Sequence, residues 1–210
     1  MVSFLALIIL ILSIILHEVA HGYAANALGD PTARLAGRLT LNPLPHIDPL
    51  GSVILPALLV LTNAPILFGW AKPVPYNPYN LRQQRWGEAL VALAGSATNL
   101  GIACLFALIV RYGAVGGFDA TMLLVAQSIV FVNLFLGLFN LIPFPPLDGF
   151  TALRSLLPWR LGSGLHQFEQ RIHASGPFAL MLFLVAFSYL FSGVFFSLVL
   201  WLFGLLIGGT

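Results

Sequence analysis

Two histidines and a glutamate stand close together near the start of the chain, as His17, Glu18 and His21 in the sequence HEVAH. On an α-helix, residues i and i+4 point in nearly the same direction, so both imidazoles can bind one metal ion. Glu18 points about 100° away around the helix, where it can reach a water on that metal without being a ligand. Two neutral imidazoles suit Zn²⁺, and a catalytic zinc keeps one coordination position open for water. The spacing therefore predicts a hydrolytic site with one zinc ion per chain.

The composition around this motif is that of an integral membrane protein. Of the 210 residues, 59% are hydrophobic and only 8% are charged, against about 25% charged residues in soluble domains. A histidine pair that is merely hydrogen-bonded inside a helix bundle is the alternative, but ionisable groups within a membrane are costly and typical of functional sites. The net charge of +2 comes from few ionisable groups and gives no indication of a nucleic-acid partner. The single cysteine, Cys104, excludes an intrachain disulfide.

The hydrophobic segments predict one all-α domain over residues 1–210, a bundle of about four to six transmembrane helices. The first span lacks a preceding Lys or Arg and is expected to be retained, not cleaved as a signal peptide. Alternation of apolar and polar residues in 33–41 indicates a short strand or hairpin near the active site, with a plain surface loop as the alternative. The segment 50–68 contains two prolines and either spans the membrane or re-enters it. The predicted core spans are 2–28, 88–111 and 121–142, and the apolar segment 177–207 forms one tilted helix or two short ones.

The sequence NLIPFPPLDG, residues 140–149, contains a candidate for the third metal ligand. Its three prolines break a helix at membrane depth, which is tolerated only where the backbone is buried in protein or lines a cavity. Asp148 follows the break and is the favoured third ligand, since two histidines need one more. Its alternative role is to cap a following helix, Gly149 to Leu157. His46 and Asp48 are weaker candidates, because polar loop residues usually face water.

HEVAH and NLIPFPPLDG together resemble the site-2 protease family of intramembrane zinc metalloproteases, peptidase family M50. The segment AGSATN resembles a third segment of that family. The segments GRLTLNPLPHIDPLG and GWAKPVP resemble its smaller bacterial and archaeal members, which lack a PDZ or CBS domain. The resemblance implies that His17, His21 and Asp148 bind zinc, that Glu18 is the catalytic base, and that Asn140 helps to hold the scissile peptide. It implies a multi-pass protein of a prokaryotic cell membrane that cleaves transmembrane protein substrates.

Asn99 and the chain's charges complete the sequence-based expectations. Asn99 lies within the third predicted segment and either holds a substrate backbone or bonds across the bundle.

If 50–68 re-enters, eight of the nine Lys and Arg residues share one face of the membrane, as the positive-inside rule requires of the cytoplasmic side. This arrangement predicts an external N-terminus and a site in the cytoplasmic half of the membrane. A catalytically inactive zinc-binding regulator and a transporter with broken helices are the rival functions.

Overall fold

The computed structural model describes residues 2–54, 57–58, 61, 70–113 and 115–208, and none of these residues forms a strand. The all-α class predicted from the sequence is confirmed. Short turns of other helical types occur at Leu44–His46, Pro49–Ile54 and Pro78–Asn80. The α-helices of the described residues are α1 Val2–Ala27, α2 Thr32–Leu35, α3 Gln84–Gly113, α4 Ala120–Asn140, α5 Asp148–Leu156, α6 Trp159–Ala174, α7 Pro177–Leu190 and α8 Ser192–Ile207.

Three of these helices, α1, α3 and α4, are long and apolar enough to cross a membrane. The pair α7 and α8 counts as a fourth span if it is taken as one, although it is bent by 73°. The bend lies beside Ser192 and Gly193, a pair that commonly kinks helices, so the 177–207 stretch is two helices. Most of the segment 50–68 lies outside the described residues, and so does its predicted path through the membrane.

The end of α1 is set by its own sequence. The helix stops at Ala27, and Gly29 adopts a φ of 112°, a conformation that glycine tolerates at little steric cost. The next residue turns back, so that the Asp30 N–H donates to the Ala25 carbonyl at 2.9 Å. The chain therefore leaves the membrane helix six residues past His21, the last residue of the HEVAH motif.

Asp30 then ties this end of α1 to the loop that precedes α3. Its carboxylate is fully buried and accepts hydrogen bonds from Thr32, from the Asn77 N–H at 2.6 Å and from the Asn80 amide at 2.8 Å. Burial raises the pKa of Asp30, but the hydrogen bonds from Thr32, Asn80 and Asn77 outweigh it and hold that pKa below the ordinary value of 3.8. The ionised carboxylate is thus the form that stabilises the junction.

The strand or hairpin predicted for residues 33–41 is wrong. Residues Thr32–Leu35 form a short helix, which ends where Gly37 adopts a φ of 65° and the Arg38 N–H bonds back to the Ala33 carbonyl at 2.9 Å. A proline before the helix and a glycine after it are start and stop signals, and they outweigh the imperfect alternation. These residues therefore offer no strand edge with which a substrate segment could pair.

The core of the bundle lies where α3, α4 and α8 meet. Ala103 and Ala107 of α3 are buried against Val130 of α4 and Val199 of α8. Small residues at i and i+4 let helices approach closely in a membrane, where dispersion contacts and not the hydrophobic effect drive packing. This packing gives α3 two neighbours in α4 and α8, while its other side contacts α1 and α5. α3 is therefore the central helix around which the site is assembled.

Candidate active site

Three side chains from two helices converge on one point between α1, α3 and α5. The Asp148 Oδ2 lies 3.0 Å from the His17 Nε2 and 3.3 Å from the His21 Nε2, and the two Nε2 atoms are 3.1 Å apart. Ligand atoms around a tetrahedral zinc with bonds of 2.0–2.1 Å are separated by about 3.3 Å. The donor types and their separations therefore fit a zinc ion. Among the described residues, these three form the one group of at least three His, Cys, Asp or Glu side chains that could hold a metal ion.

The imidazole of His21 is held in the tautomer that a metal ligand needs. Its Nδ1 lies 2.7 Å from the Val91 carbonyl of α3, and a carbonyl only accepts, so Nδ1 carries the proton. The Nε2 then presents a lone pair toward the other two donors. The Nδ1 of His17 is buried and makes no hydrogen bond to the described residues. The site thus has one firmly oriented histidine and one that is positioned by packing.

Packing around both rings depends on Gly95 of α3. A Cβ at this position would lie 2.5 Å from the His21 Nε2 and 2.6 Å from the His17 Nε2. Only a residue without a side chain lets α3 approach α1 so closely at the level of the donor atoms. Gly95 lies in the sequence AGSATN, one of the segments by which the chain resembles a known family.

The prolines that follow α4 break the helix there and bring Asp148 to the two histidines. Asp148 is the first residue of α5, and the N-cap position before it is Leu147, which offers no side-chain cap. The Asp148 side chain is 22% exposed and faces the histidines. At the following residue, a Cβ on Gly149 would lie 2.1 Å from the Leu141 carbonyl oxygen. A glycine is needed there because the new helix starts directly against the end of the broken one.

A buried ion-pair network fixes α5 at its far end. Arg154 bonds to Glu88 of α3 and lies 3.2 Å from Glu169 of α6. The Ser155 hydroxyl donates to the other Glu88 oxygen at 2.8 Å. Arg85 donates to the carbonyl of Ser155 at 3.1 Å. Because these contacts tie α5 to α3, the register of α5 on α3 helps to set where Asp148 stands.

Glu18 does not belong to the three-donor cluster. Its Oε2 accepts a hydrogen bond of 2.9 Å from the Val74 N–H, in the loop between residues 70 and 83. Its neighbour His17 is 7% exposed overall. The geometry therefore separates three converging donor atoms from one adjacent carboxylate held by a backbone donor. The roles of metal ligand and general base stay predictions from the motif.

The two asparagines proposed for substrate binding occupy different surroundings. Asn99 is fully buried on α3, and neither its Oδ1 nor its Nδ2 makes a hydrogen bond to the described residues. Asn140 ends α4, is half-buried, and donates from Nδ2 to the Leu136 carbonyl at 3.0 Å. Substrate binding by either residue stays a prediction.

The weaker metal candidates lie elsewhere. The His46 Nε2 bonds to the Thr40 carbonyl at 2.9 Å, and Asp48 accepts from the N–H groups of Leu50 and Gly51. His46 is 2% exposed, so the expectation that it faces water is wrong, although its ring serves the loop structure and not the three-donor cluster. The groups that the sequence analysis missed are the Val91 carbonyl and the Val74 N–H. Both are backbone groups, which leave no signal in side-chain identity.

Comparisons with known proteins agree with the site. The model of peptidase family M50 matches residues 117–184, which include Asp148. "Putative zinc metalloprotease YwhC" of Bacillus subtilis is 39% identical over 172 residues, covering 77% of this chain and 73% of that protein. "Putative zinc metalloprotease Rip2" of Mycobacterium tuberculosis is 32% identical over 196 residues, covering 93% of this chain and 71% of that protein. No solved structure gives a significant match.

Proposed function

Because this chain belongs to peptidase family M50, the site-2 protease family, we propose that it is a membrane-embedded zinc metalloprotease. It hydrolyses peptide bonds within or near the transmembrane segments of other membrane proteins. The observation that carries the proposal is the triangle of His17 Nε2, His21 Nε2 and Asp148 Oδ2, with sides of 3.0–3.3 Å, beside the carboxylate of Glu18.

The chemistry follows from the residues that surround the triangle. When bound, zinc polarises a peptide carbonyl and lowers the pKa of a water molecule toward about 7. The three donors hold the ion, and the Val91 carbonyl keeps the His21 ring turned toward it. Glu18 takes the proton from the attacking water as general base and passes it to the leaving amine. The two histidines and the aspartate would supply three protein ligands, the number typical of a catalytic zinc site.

A transmembrane substrate imposes a further requirement. The carbonyls of a helix are engaged in its own hydrogen bonds, so the segment to be cleaved has to unwind before a carbonyl can reach the site. The site itself lies between helices that are long and apolar enough to cross a membrane. This position suits peptide bonds that are presented from within the bilayer.

The arrangement of the loops supports a multi-pass topology with this site toward one membrane face. The loop after α1 and the loop before α3 contact each other directly: the Arg82 N–H donates to the Leu28 carbonyl at 3.0 Å, and Arg38 donates to the Lys72 carbonyl at 2.7 Å. Two loops that are hydrogen-bonded to each other lie on the same face. We assign that face to the cytoplasm of a prokaryotic cell, because eight of the nine cationic residues, all except Arg111, are expected there.

Cysteine labelling tests this topology. In a Cys104→Ser background, single cysteines at Leu35 and Tyr79 offer two exposed positions, with 77% and 82% of their surface accessible. Both are expected to react with an impermeant thiol reagent only when the cytoplasmic face is accessible. Labelling of the two positions from opposite faces contradicts the shared face.

The proposed activity is tested by metal-dependent cleavage of a membrane-protein substrate with purified protein in detergent or vesicles. Glu18→Gln is expected to keep zinc and to lower turnover by about 100-fold or more, since general-base catalysis contributes about 10²–10⁴-fold. Asp119→Asn is a matched control, because it also converts a carboxylate to an amide, at the exposed N-cap of α4, where asparagine caps as well as aspartate. Turnover in Glu18→Gln equal to that of the control refutes the assignment of the base.

A further inference from the structure

Within the described part of the chain, the carboxylate of Glu18 makes one hydrogen bond, with the N–H of Val74. This N–H donates to the Glu18 Oε2 at 2.9 Å, and a hydrogen bond to an ionised acceptor is among the stronger ones in proteins. A free glutamate side chain on a helix samples several rotamers. One firm contact at Oε2 restricts that motion and leaves the other carboxylate oxygen for proton transfer.

The segment that presents this N–H is itself tied down along its length. The Trp70 N–H donates to the Gly51 carbonyl at 3.2 Å, and the Lys72 N–H donates to the His46 carbonyl at 2.9 Å. Donors at residues 70, 72 and 74 therefore all point from one edge of an extended segment, as a period of two requires. The Val74 N–H is the member of this row that reaches the site.

The side chain of Val74 docks the same segment onto α1. Val74 is 6% exposed, and a Cβ on Gly22 would lie 2.9 Å from its Cγ1. Gly22 is one helical turn beyond Glu18. The segment thus contacts α1 by a buried apolar side chain at one turn and by a backbone donor at the turn before it.

Prolines on both sides make the donor specific. Pro73 and Pro75 have no N–H and hold φ near −65°, so the Val74 N–H is the only backbone donor between Lys72 and Tyr76. A slip of one residue would place a proline opposite Glu18 and would lose the hydrogen bond. Restricted residues also lose less conformational entropy when the segment is ordered.

We propose that the Val74 N–H, set between Pro73 and Pro75, is the positioning group of the general base, and that the sequence PVP serves to present it. The inference rests on the proposed function in one respect, namely that Glu18 is the base. The group touches neither substrate nor metal. It acts by keeping the Glu18 carboxylate in one orientation beside the donor triangle.

The first test removes the N–H and leaves every catalytic side chain in place. Val74→Pro is expected to lower kcat by about 10- to 100-fold, the range for loss of a hydrogen bond to a charged group, with KM changed less than about threefold and zinc content unchanged. Ala71→Pro is the matched control, because it adds a proline to the same segment at an N–H that makes no hydrogen bond to the described residues. Its turnover is expected to equal that of the wild type.

A change in KM alone would overturn the inference, since it would mean that the segment binds substrate and does not orient the base. A kcat for Val74→Pro within threefold of the control would overturn it as well. If Val74→Pro fails to fold or loses zinc, the second test decides.

The second test needs no proteolysis. Amide-resolved hydrogen exchange compares the wild type with Glu18→Ala. Exchange at Val74 is expected to accelerate at least tenfold, while Lys72, whose N–H is bonded to His46, is expected to keep its protection. Equal exchange at Val74 in both proteins overturns the inference whatever the activity. If the contrast at Val74 is found but the wild type cleaves no membrane substrate under any condition, the proposed function fails and the hydrogen bond stands.

Discussion

Gly95 allows the geometry of the site to be tested without changing a ligand. In Gly95→Ala, the new methyl carbon would stand 2.5 Å from the His21 Nε2 and 2.6 Å from the Cε1 and Nε2 of His17. Carbon atoms pack at about 3.5 Å or more from their neighbours, so the overlap is about 1 Å and falls on the donor atoms themselves. The His21 ring cannot swing aside freely, because its Nδ1 is bonded to Val91 of the same helix that carries the new methyl group.

The expected result is a loss of zinc affinity in a folded protein. Overpacking of this kind typically costs about 1–3 kcal/mol, and a tenfold change in affinity corresponds to about 1.4 kcal/mol. If that cost is relieved by moving α3 away from α1, the donor triangle opens and zinc affinity falls by roughly 5- to 150-fold. The proteolytic rate at saturating zinc is expected to fall as well.

The assay is zinc content by mass spectrometry together with competition against a chelator of known affinity. Gly101→Ala is the matched control, since it lies on the same helix and a Cβ there would meet nothing within 4 Å. This control is expected to bind zinc like the wild type. If Gly95→Ala binds zinc as tightly as Gly101→Ala does, the close approach of α3 to the histidines is not part of the metal site, and the reasoning is refuted.

Three further substitutions address separate parts of the molecule. Asp148→Ala is expected to lose zinc as well as activity; full zinc occupancy by mass spectrometry would make Asp148 a structural residue and not a ligand. Asp30→Asn is expected to lower the thermal midpoint by a few degrees at pH 7, because the buried carboxylate loses its charge. The folded state lowers the pKa of Asp30 from 3.8, so the ionised carboxylate stabilises the fold above that pH, and this stabilisation is lost as the pH falls through the lower folded pKa. The variant should therefore lose less stability than the wild type on acidification. Thermal scans at pH 7 and at a pH below 3.8 check this, and equal losses in the two proteins would argue against it. Asn99→Leu is expected to raise the thermal midpoint while lowering proteolysis, because an unpaired buried amide costs about 1–3 kcal/mol and is tolerated where it serves function; a lowered midpoint would instead indicate a structural hydrogen bond.

The sequence predicted those parts of the site that depend on local spacing. His17 and His21 share a helix, so a separation of four residues suffices to place them together. Asp148 could be predicted by a different argument, because prolines that break a helix at membrane depth are tolerated only where the backbone is buried in protein or lines a cavity. The all-α class followed from the length of the apolar runs, and the helix ends followed from glycine and proline.

Contacts between distant segments could not be predicted in this way. The Val91 carbonyl is 70 residues from His21, and the Val74 N–H is 56 residues from Glu18. Every residue other than proline has the same backbone groups, so nothing in the identity of valine marks either one as a partner. The prediction for residues 33–41 was wrong for a related reason. An imperfect alternation of apolar and polar residues does not fix the path of the backbone, whereas one glycine with a positive φ, Gly37, does.

The distribution of contacts makes α3, and not the helix with the motif, the template of the site. Glu88, Val91, Gly95 and Asn99 lie within about 80° of one another around α3, so they form one stripe along it. Glu88 holds α5 through Arg154 and thereby sets Asp148, while the next two positions orient and admit the histidines of α1. The two halves of the metal site therefore meet only when α1 and α5 are both in register on the same stripe. A zinc ion held by residues of both α1 and α5 would stabilise that register in return, because whatever binds only the assembled state shifts the folding equilibrium toward it.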